Sequence, residues 1–386
     1  MSPGALPFPR SEFLERQQRL RAVMSAHSLD GLLLFRQESM YYLTGYETFG
    51  FCFFQCLFFG ADGAMFLLTR SADLRQAQLT SIIDEIHVWV DGVDGGPAPR
   101  LRGLLAAHGM KGARLGAEFE SYGLTHRRGR EFEAALDGFC TVEDHSELVS
   151  TLRMVKSTAE LEHVRRAARL ADDALDAGIA LIGPGADEGQ VLAAMQGAVF
   201  AGGGDYPGNE FIIGSGERAL LCRYASGRRR LDEPDQLTLE FAGVFRHYHA
   251  AMMRTVLVGE VHPEHRYLYE AAAEALAACD EAMVPGASAH DVFHAHARAL
   301  DGAGLAAHRL NACGYSLGAR FTPSWMDYPM CHDGNRQVIE PGMVMFLHMI
   351  LMNSNSARAM TLGETFIVGD TGNERLSRHG RELIVR

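Results

Sequence analysis

No apolar run in this 386-residue chain approaches the roughly 20 residues needed to cross a bilayer. The most apolar stretch, GFCFFQCLFFG from Gly50 to Gly60, reads as a buried strand bounded by glycines. The opening MSPGALPFPRSEF has no cationic segment leading into an apolar one, so no secretory signal is expected, and the cytoplasm is the expected compartment. Basic charge is scarce. Lys and Arg number 36 against 48 Asp and Glu, for a net charge of −12. That excludes a general nucleic-acid binder, which must neutralise phosphates, and no membrane partner is expected either. The arginine run at 228–230 is short and isolated and reads as a solvated loop. Cysteine is also sparse. Cys52 and Cys56 could begin a zinc pattern, but no second pair completes it. Free thiols in a reducing compartment are the expectation.

What remains is ordinary globular composition, 47% hydrophobic and 22% charged, at a length that suits two domains. The first 150 or so residues alternate helical and strand-like segments. A helix is expected from Ser11 to about His27, then strands at Gly31–Phe35, Ala64–Thr69 and Glu85–Val90, with further helices in PRLRGLLAAHGM and RGREFEAALDGF. This is a compact α/β domain, taken as 1–152. Residues 153–386 open on a long helix. Ser157 and Glu160 form a capping box, and Leu161, Val164, Ala168, Ala171, Leu175 and Ile179 make a helical stripe that Gly183-Pro184-Gly185 stops. Helices follow from about Pro263 to Met283 and from Ser288. The rest is strand-rich (EFIIGSG, QLTLEFAGVF, HAAMMRTVLVG, GMVMFLHMILM, AMTLGETFIVG), so the class is α+β with helices on one face of a curved antiparallel sheet.

Within QLTLEF, alternation puts Leu237, Leu239 and Phe241 on one face and Thr238 and Glu240 on the other. A carboxylate between apolar neighbours is costly to bury unless something pairs with it. Either this is an edge strand with Glu240 in water, or Glu240 faces a pocket. His247 and His249 form an H-x-H pair at a hairpin turn, with no third ligand at useful spacing. His294 and His296 are two apart on a helix and do not share a face. NACGYSLGARFTPSW (311–325) reads as a glycine-punctuated loop. It offers Tyr315 a hydroxyl role, Arg320 a forked cation for a carboxylate, and Trp325 a flat wall. The alternative is a plain surface loop. His348 in MVMFLHMILM is either a satisfied core histidine or part of a site. With Glu364 in TLGETF and Glu240 it would make acid–base chemistry possible if the strands converge.

The segments VKSTAELEHVRRAARLADDAL, FIIGSG, LTLEFAGVFRHYHAAMMRTVLVGE, CGYSLG, IEPGMVMFLHMI and TLGETFIV follow one another as in the M24-type family of methionine aminopeptidases, Xaa-Pro peptidases and creatinase, which the chain resembles over nearly its whole length. The resemblance implies a creatinase-like N-terminal domain and a C-terminal pita-bread domain. Metal-dependent members hold two metal ions with two Asp, one His and two Glu. Those positions fall here at Glu240, Ala251, Tyr315, His348 and Gly363, and a substrate-facing His falls at Cys222. Ala251 and Gly363 offer no side-chain donor, so no metal cofactor is expected. The phrases YYLTGYETFGFCFFQCLFF, NEFIIGSG, LLCRY and GYSLGARFTPSWMD resemble the ectoine hydrolases, a metal-free group of this family.

That resemblance implies hydrolysis of a cyclic amidine in a small zwitterion. Glu240 would be nucleophile or general base. His348 would move protons to the leaving nitrogen, and Tyr315 and Arg320 would hold the substrate carboxylate or the tetrahedral centre. Glu364 would pair with a ring N–H, and Cys222 and Trp325 would line the wall. It also implies a homodimer in which Tyr42 or Phe49, from the segment 36–50, reaches the partner's pocket. Creatinase-like hydrolysis of a guanidinium compound, a metal-dependent Xaa-Pro peptidase and a catalytically silent binding protein remain as alternatives.

Overall fold

The computed structural model describes residues 6–92, 96–223 and 227–386. The chain divides into two compact units, Met1–Arg153 and Met154–Arg386. In the first, the elements run α1 (Arg10–Ala26), β1 (Gly31–Leu34), α2 (Gln37–Thr44), β2 (Cys56–Gly60), β3 (Met65–Arg70), α3 (Leu74–Thr80), β4 (Ile86–Trp89), α4 (Pro97–Ala107), β5 (Arg114–Ala117), α5 (His126–Leu136), β6 (Thr141–Asp144) and α6 (Leu148–Met154). The six strands form one mixed sheet in the order β4-β3-β2-β1-β5-β6. The apolar run from Gly50 is only partly a strand. Gly50–Cys52 is a 3-10 turn that leaves Phe49 88% exposed, and the strand begins at Cys56.

The second unit opens on α7 (Thr158–Ile179), whose capping box at Ser157 and Glu160 forms as the sequence predicts. It continues with α8 (Glu188–Ala201), β7 (Ile212–Ser215), β8 (Asp235–Phe245), β9 (Tyr248–Val258), α9 (Pro263–Ala282), α10 (Ala289–Gly302), β10 (Ala312–Ser316), β11 (Asp327–His332), β12 (Val344–Asn353), β13 (Arg358–Ile367), β14 (Glu374–Arg375) and β15 (Ile384–Val385). Helix α8 is not among the elements expected from the sequence. Its sequence signal was Asp187, whose side chain accepts from the amides of Gly189 and Gln190 as an N-cap. The expected loop 311–325 begins as strand β10, which carries Tyr315.

The main sheet runs β11-β10-β12-β13-β9-β8-β7, so β8 and Glu240 are interior rather than at an edge. β8 and β9 join through Arg246 and His247, both at positive φ (52° and 62°), a two-residue hairpin turn. One sheet face is the core. Met345, Leu347, Met349 and Leu351 of β12 and Met360, Leu362 and Phe366 of β13 pack with Leu268, Ala272, Ala275 and Leu276 of α9. Truncating one of these, Leu347→Ala for example, costs about 2–5 kcal/mol. Helix α7 lies on the same face further along. It approaches β8 so closely that a Cβ at Gly243 would meet the Ala167 carbonyl oxygen at 1.9 Å, and only glycine fits there.

The sheet also curls. Residues beyond β10 reach the start of β9, where Ala319 bridges Tyr248 and the His249 amide donates to the Gly318 carbonyl at 3.2 Å. The face without helices is therefore the concave one. Among the described residues no helix is long and apolar enough to cross a membrane, and all seven cysteines are unpaired.

Candidate active site

Strand register defines the concave face residue by residue. His348 lies opposite Gly363, Gly363 opposite Met253, Met253 opposite Glu240, and Glu240 opposite Ile212. Directly paired residues point to the same side, so these five form one row across five strands. The adjacent row holds Tyr315 opposite Phe346, Phe346 opposite Thr365, and Ala251 opposite Ala242. Thr365 Oγ1 donates to the Ala251 carbonyl at 2.7 Å and ties β13 to β9 there. All five positions that the family resemblance marks as metal ligands thus share one face, and the sheet brings together Glu240, Ala251, Tyr315, His348 and Gly363.

Glu240 is 8% exposed, and no described residue hydrogen-bonds to it. Burial pushes its carboxyl from 4.5 to about 7, and the nearby Arg223 guanidinium opposes that rise. On a flat sheet β8 and β10 would stand roughly 19 Å apart, four strand spacings. The Glu240 charge nevertheless reaches Tyr315, because the sheet curls. Burial first, and Glu240 second, push the Tyr315 hydroxyl well above its ordinary value, so it is a neutral donor. Cys222 is half-buried. Its thiol is pushed up by burial and then by Glu240, which suits a wall and not a nucleophile. Tyr224, the last residue of LLCRY, lies outside the described residues.

His348 sits between the rings of Tyr315 and Phe346, with centroids at 5.4 and 5.5 Å. Burial lowers its imidazole to about 3. It is neutral at physiological pH, so the expected role of carrying a proton as imidazolium is not what this environment favours. Its Nδ1 is buried with no partner. A neutral ring here can accept or donate one hydrogen bond to a ligand. Among these residues the group poised to change charge near neutral pH is Glu240.

Four expectations need correction. Glu364 does not face this surface. It lies opposite Leu347, on the helix-covered side, where Arg254 forms a buried ion pair with it and Arg375 stands at 3.5 Å. Alternation along β13 is the reason: Gly363 and Glu364 are neighbours and must point apart. Trp325 has no exposed surface and cannot be a wall. Its Nε1 instead donates to the Tyr315 hydroxyl at 2.9 Å and holds that side chain in place. Arg320 stands 3.7 Å from Asp327 and beside the buried, neutral His249. The cation whose charge reaches Glu240 and Tyr315 is Arg223. Tyr42 is 2% exposed, packed under the Arg16 guanidinium at 4.6 Å, and reaches no surface. As for the H-x-H pair, His249 Nε2 accepts from the Gly208 amide at 2.8 Å while His247 stacks on Phe321 at 4.2 Å, so the two do not converge on a metal.

These residues do not fit a dinuclear metal centre. Ala251 supplies no donor. At Gly363 the space for a side chain is already filled: a Cβ there would meet the Phe346 ring at 2.7 Å and Met253 Cβ at 3.0 Å. The His348 and Tyr315 side chains that stand in for a carboxylate and an imidazole are neutral and sit among rings. Hard divalent ions need several charged or carbonyl oxygens at fixed geometry, and Glu240 alone does not provide them.

Comparison with known proteins agrees with the architecture. Residues 162–370 match Metallopeptidase family M24, and residues 16–155 match the Creatinase/Prolidase N-terminal domain. An uncharacterized hydrolase/peptidase of Sinorhizobium fredii is 28% identical over 99% of both chains. An ectoine hydrolase of Halomonas elongata is 26% identical, again over 99% of both. An Xaa-Pro dipeptidase of Pyrococcus horikoshii is 22% identical over 96% of this chain and 99% of its own. Among solved structures, an Xaa-Pro dipeptidase from Bacillus anthracis superposes with a TM-score of 0.84 at 21% identity, covering 97% of this chain and all of the other. The fold is thus the pita-bread arrangement, preceded by a creatinase-like α/β domain.

Proposed function

The chain belongs to metallopeptidase family M24, and from that premise we propose that it is a hydrolase that works without the family's metal pair, opening the ring of the cyclic amidine ectoine. The observation that carries this reading is Glu240. It is a buried carboxylate with no hydrogen-bond partner among the described residues, on a face whose other ligand positions hold Ala251, Gly363, Tyr315 and His348. A buried anion whose burial outweighs the one nearby cation, Arg223, invites a cationic ligand. Two metal ions would repel an amidinium; one carboxylate attracts it. The 26% identity to an ectoine hydrolase over the full length supports the same substrate class.

In this mechanism the substrate amidinium lies against Glu240 and its carboxylate is met by Arg223 and the Tyr315 hydroxyl. Glu240 takes a proton from water as hydroxide adds to the amidine carbon. The carboxylic acid then returns that proton to a ring nitrogen as its C–N bond breaks, leaving an N-acetyl diamino acid. Alternatively Glu240 attacks the same carbon directly, the ring C–N bond breaks as its nitrogen takes the other ring nitrogen's proton, and water hydrolyses the resulting acyl imidate to the same products. A carboxyl near pH 7 can serve in both directions. His348 contributes a neutral hydrogen bond, and Cys222 shapes the wall. Unpaired cysteines support a reducing, cytoplasmic setting. The exposed Phe49 supports a homodimer in which this segment is covered by the partner, and Phe49→Asp should then shift the chain to monomer in light scattering.

The relatives with peptidase names favour a second reading, a metal-dependent Xaa-Pro peptidase. One experiment separates the two. Chelator-treated protein is incubated with ectoine and followed by proton NMR. Appearance of an acetamide methyl signal as the ring methyl disappears supports the amidine hydrolase. No turnover of ectoine or hydroxyectoine, with dipeptide cleavage appearing only on metal addition, would overturn it. Silence in both assays would leave guanidinium substrates or a binding role.

A further inference from the structure

We propose that the second unit carries a divalent transition-metal site on its surface, formed by His290, His294 and Asp333 and separate from the concave face of Glu240. His290 and His294 are four apart on α10 and so share one helix face; their ring centroids are 4.3 Å apart. Asp333 follows β11 directly and brings its carboxylate to both. Its Oδ1 is 3.1 Å from His290 Nδ1 and 3.9 Å from His294 Nε2. One donor atom from each of the three residues lies within 4.8 Å of the others. Ligand atoms on a tetrahedral zinc ion bound at about 2.0–2.1 Å stand roughly 3.4 Å apart, so small side-chain rotations suffice.

His290 Nδ1 accepts from the Gly334 amide at 3.0 Å and stands 3.1 Å from the Asp333 oxygen. A lone pair engaged by an amide cannot also hold an ion, so binding displaces that hydrogen bond or turns the ring to present its other nitrogen. The site is partly open: the His290 side chain is 15% exposed, His294 54% and Asp333 75%. An ion can therefore enter from solvent and keep water in a remaining position. Two imidazoles and a carboxylate select zinc, nickel or copper over magnesium or calcium. Bound there, the ion pins the start of α10 to the turn after β11. This inference does not rest on the proposed amidine chemistry. It also means that zinc found in the purified protein is no sign of a catalytic centre.

The test uses the full chain without an affinity tag, stripped with chelator and titrated with zinc chloride in a calorimeter at neutral pH. The expected result is one saturable site per chain that raises the melting temperature. His294→Ala and Asp333→Asn, both exposed and safe for folding, should each weaken binding at least tenfold and abolish the melting shift. Glu240→Gln should leave zinc binding unchanged. No saturable binding by the parent chain, or the same affinity in His294→Ala, would overturn the proposal.

Discussion

Replacing Glu240 by glutamine tests the site in two ways at once. The carboxyl is pushed from 4.5 to about 7 by burial. Between those values the folded chain keeps a proton that the unfolded chain has released. Stability from this group therefore falls as pH rises through the window, and the full loss is present above pH 7. Each tenfold in proton affinity is worth about 1.4 kcal/mol, so the buried anion costs about 3 kcal/mol at pH 8. Glutamine has the same size and the polarity of the protonated acid but never ionises. The stability gap between variant and parent should widen by about 3 kcal/mol, in the variant's favour, from below pH 4.5 to above pH 7. For a unit the size of Met154–Arg386 that is a rise of roughly 6–12 °C in Tm, read by scanning calorimetry at several pH values. Turnover of ectoine should meanwhile fall at least about a hundredfold. In the parent, kcat/KM should climb with pH to a plateau with a midpoint near 7, because the attacking form is the anion. Near-normal turnover by the variant would remove Glu240 as base and nucleophile. Parallel pH–stability curves would refute the account of a costly buried anion.

Three further outcomes follow from the packing. Ala251→Asp with Gly363→Glu should not rebuild a dinuclear centre, since the Phe346 ring fills the space at 363. The overpacked variant should lose about 1–3 kcal/mol in urea unfolding, and its metal content by elemental measurement should match the parent's. Glu364→Gln should cost about 3–5 kcal/mol, because it leaves Arg254 buried beside a neutral group. Its folded fraction should keep the parental KM, and a raised KM with normal stability would place Glu364 in the site after all. Trp325→Phe removes the donor that holds the Tyr315 hydroxyl. It should cost about 1 kcal/mol and lower kcat in the direction of Tyr315→Phe; an unchanged kcat beside an inactive Tyr315→Phe would show that the bond does not position the tyrosine.

The sequence by itself determined the local structure. Capping residues and apolar periodicity place the starts of α7, α9 and α10 within a residue or two, since both are properties of a few neighbouring side chains. Alternation in QLTLEF put Glu240 on the face opposite Leu239 and Phe241, and the loss of donors at Ala251 and Gly363 was legible from residue type alone. The helical i, i+4 pair His290 and His294 is equally legible and, unlike His294 and His296, shares one helix face. What only the tertiary structure decided was which side each strand turns toward the concavity. Glu364 looked like a second active-site carboxylate, but register with β12 and β9 sends it to Arg254. Tyr42 and Trp325 looked available, yet packing buries both. Nothing local marks Arg223, whose charge the tertiary structure brings to bear on Glu240 and Tyr315. The reason is physical. Side-chain periodicity fixes faces within one strand, whereas pairing and sheet curvature join residues more than a hundred positions apart, and no local pattern encodes that.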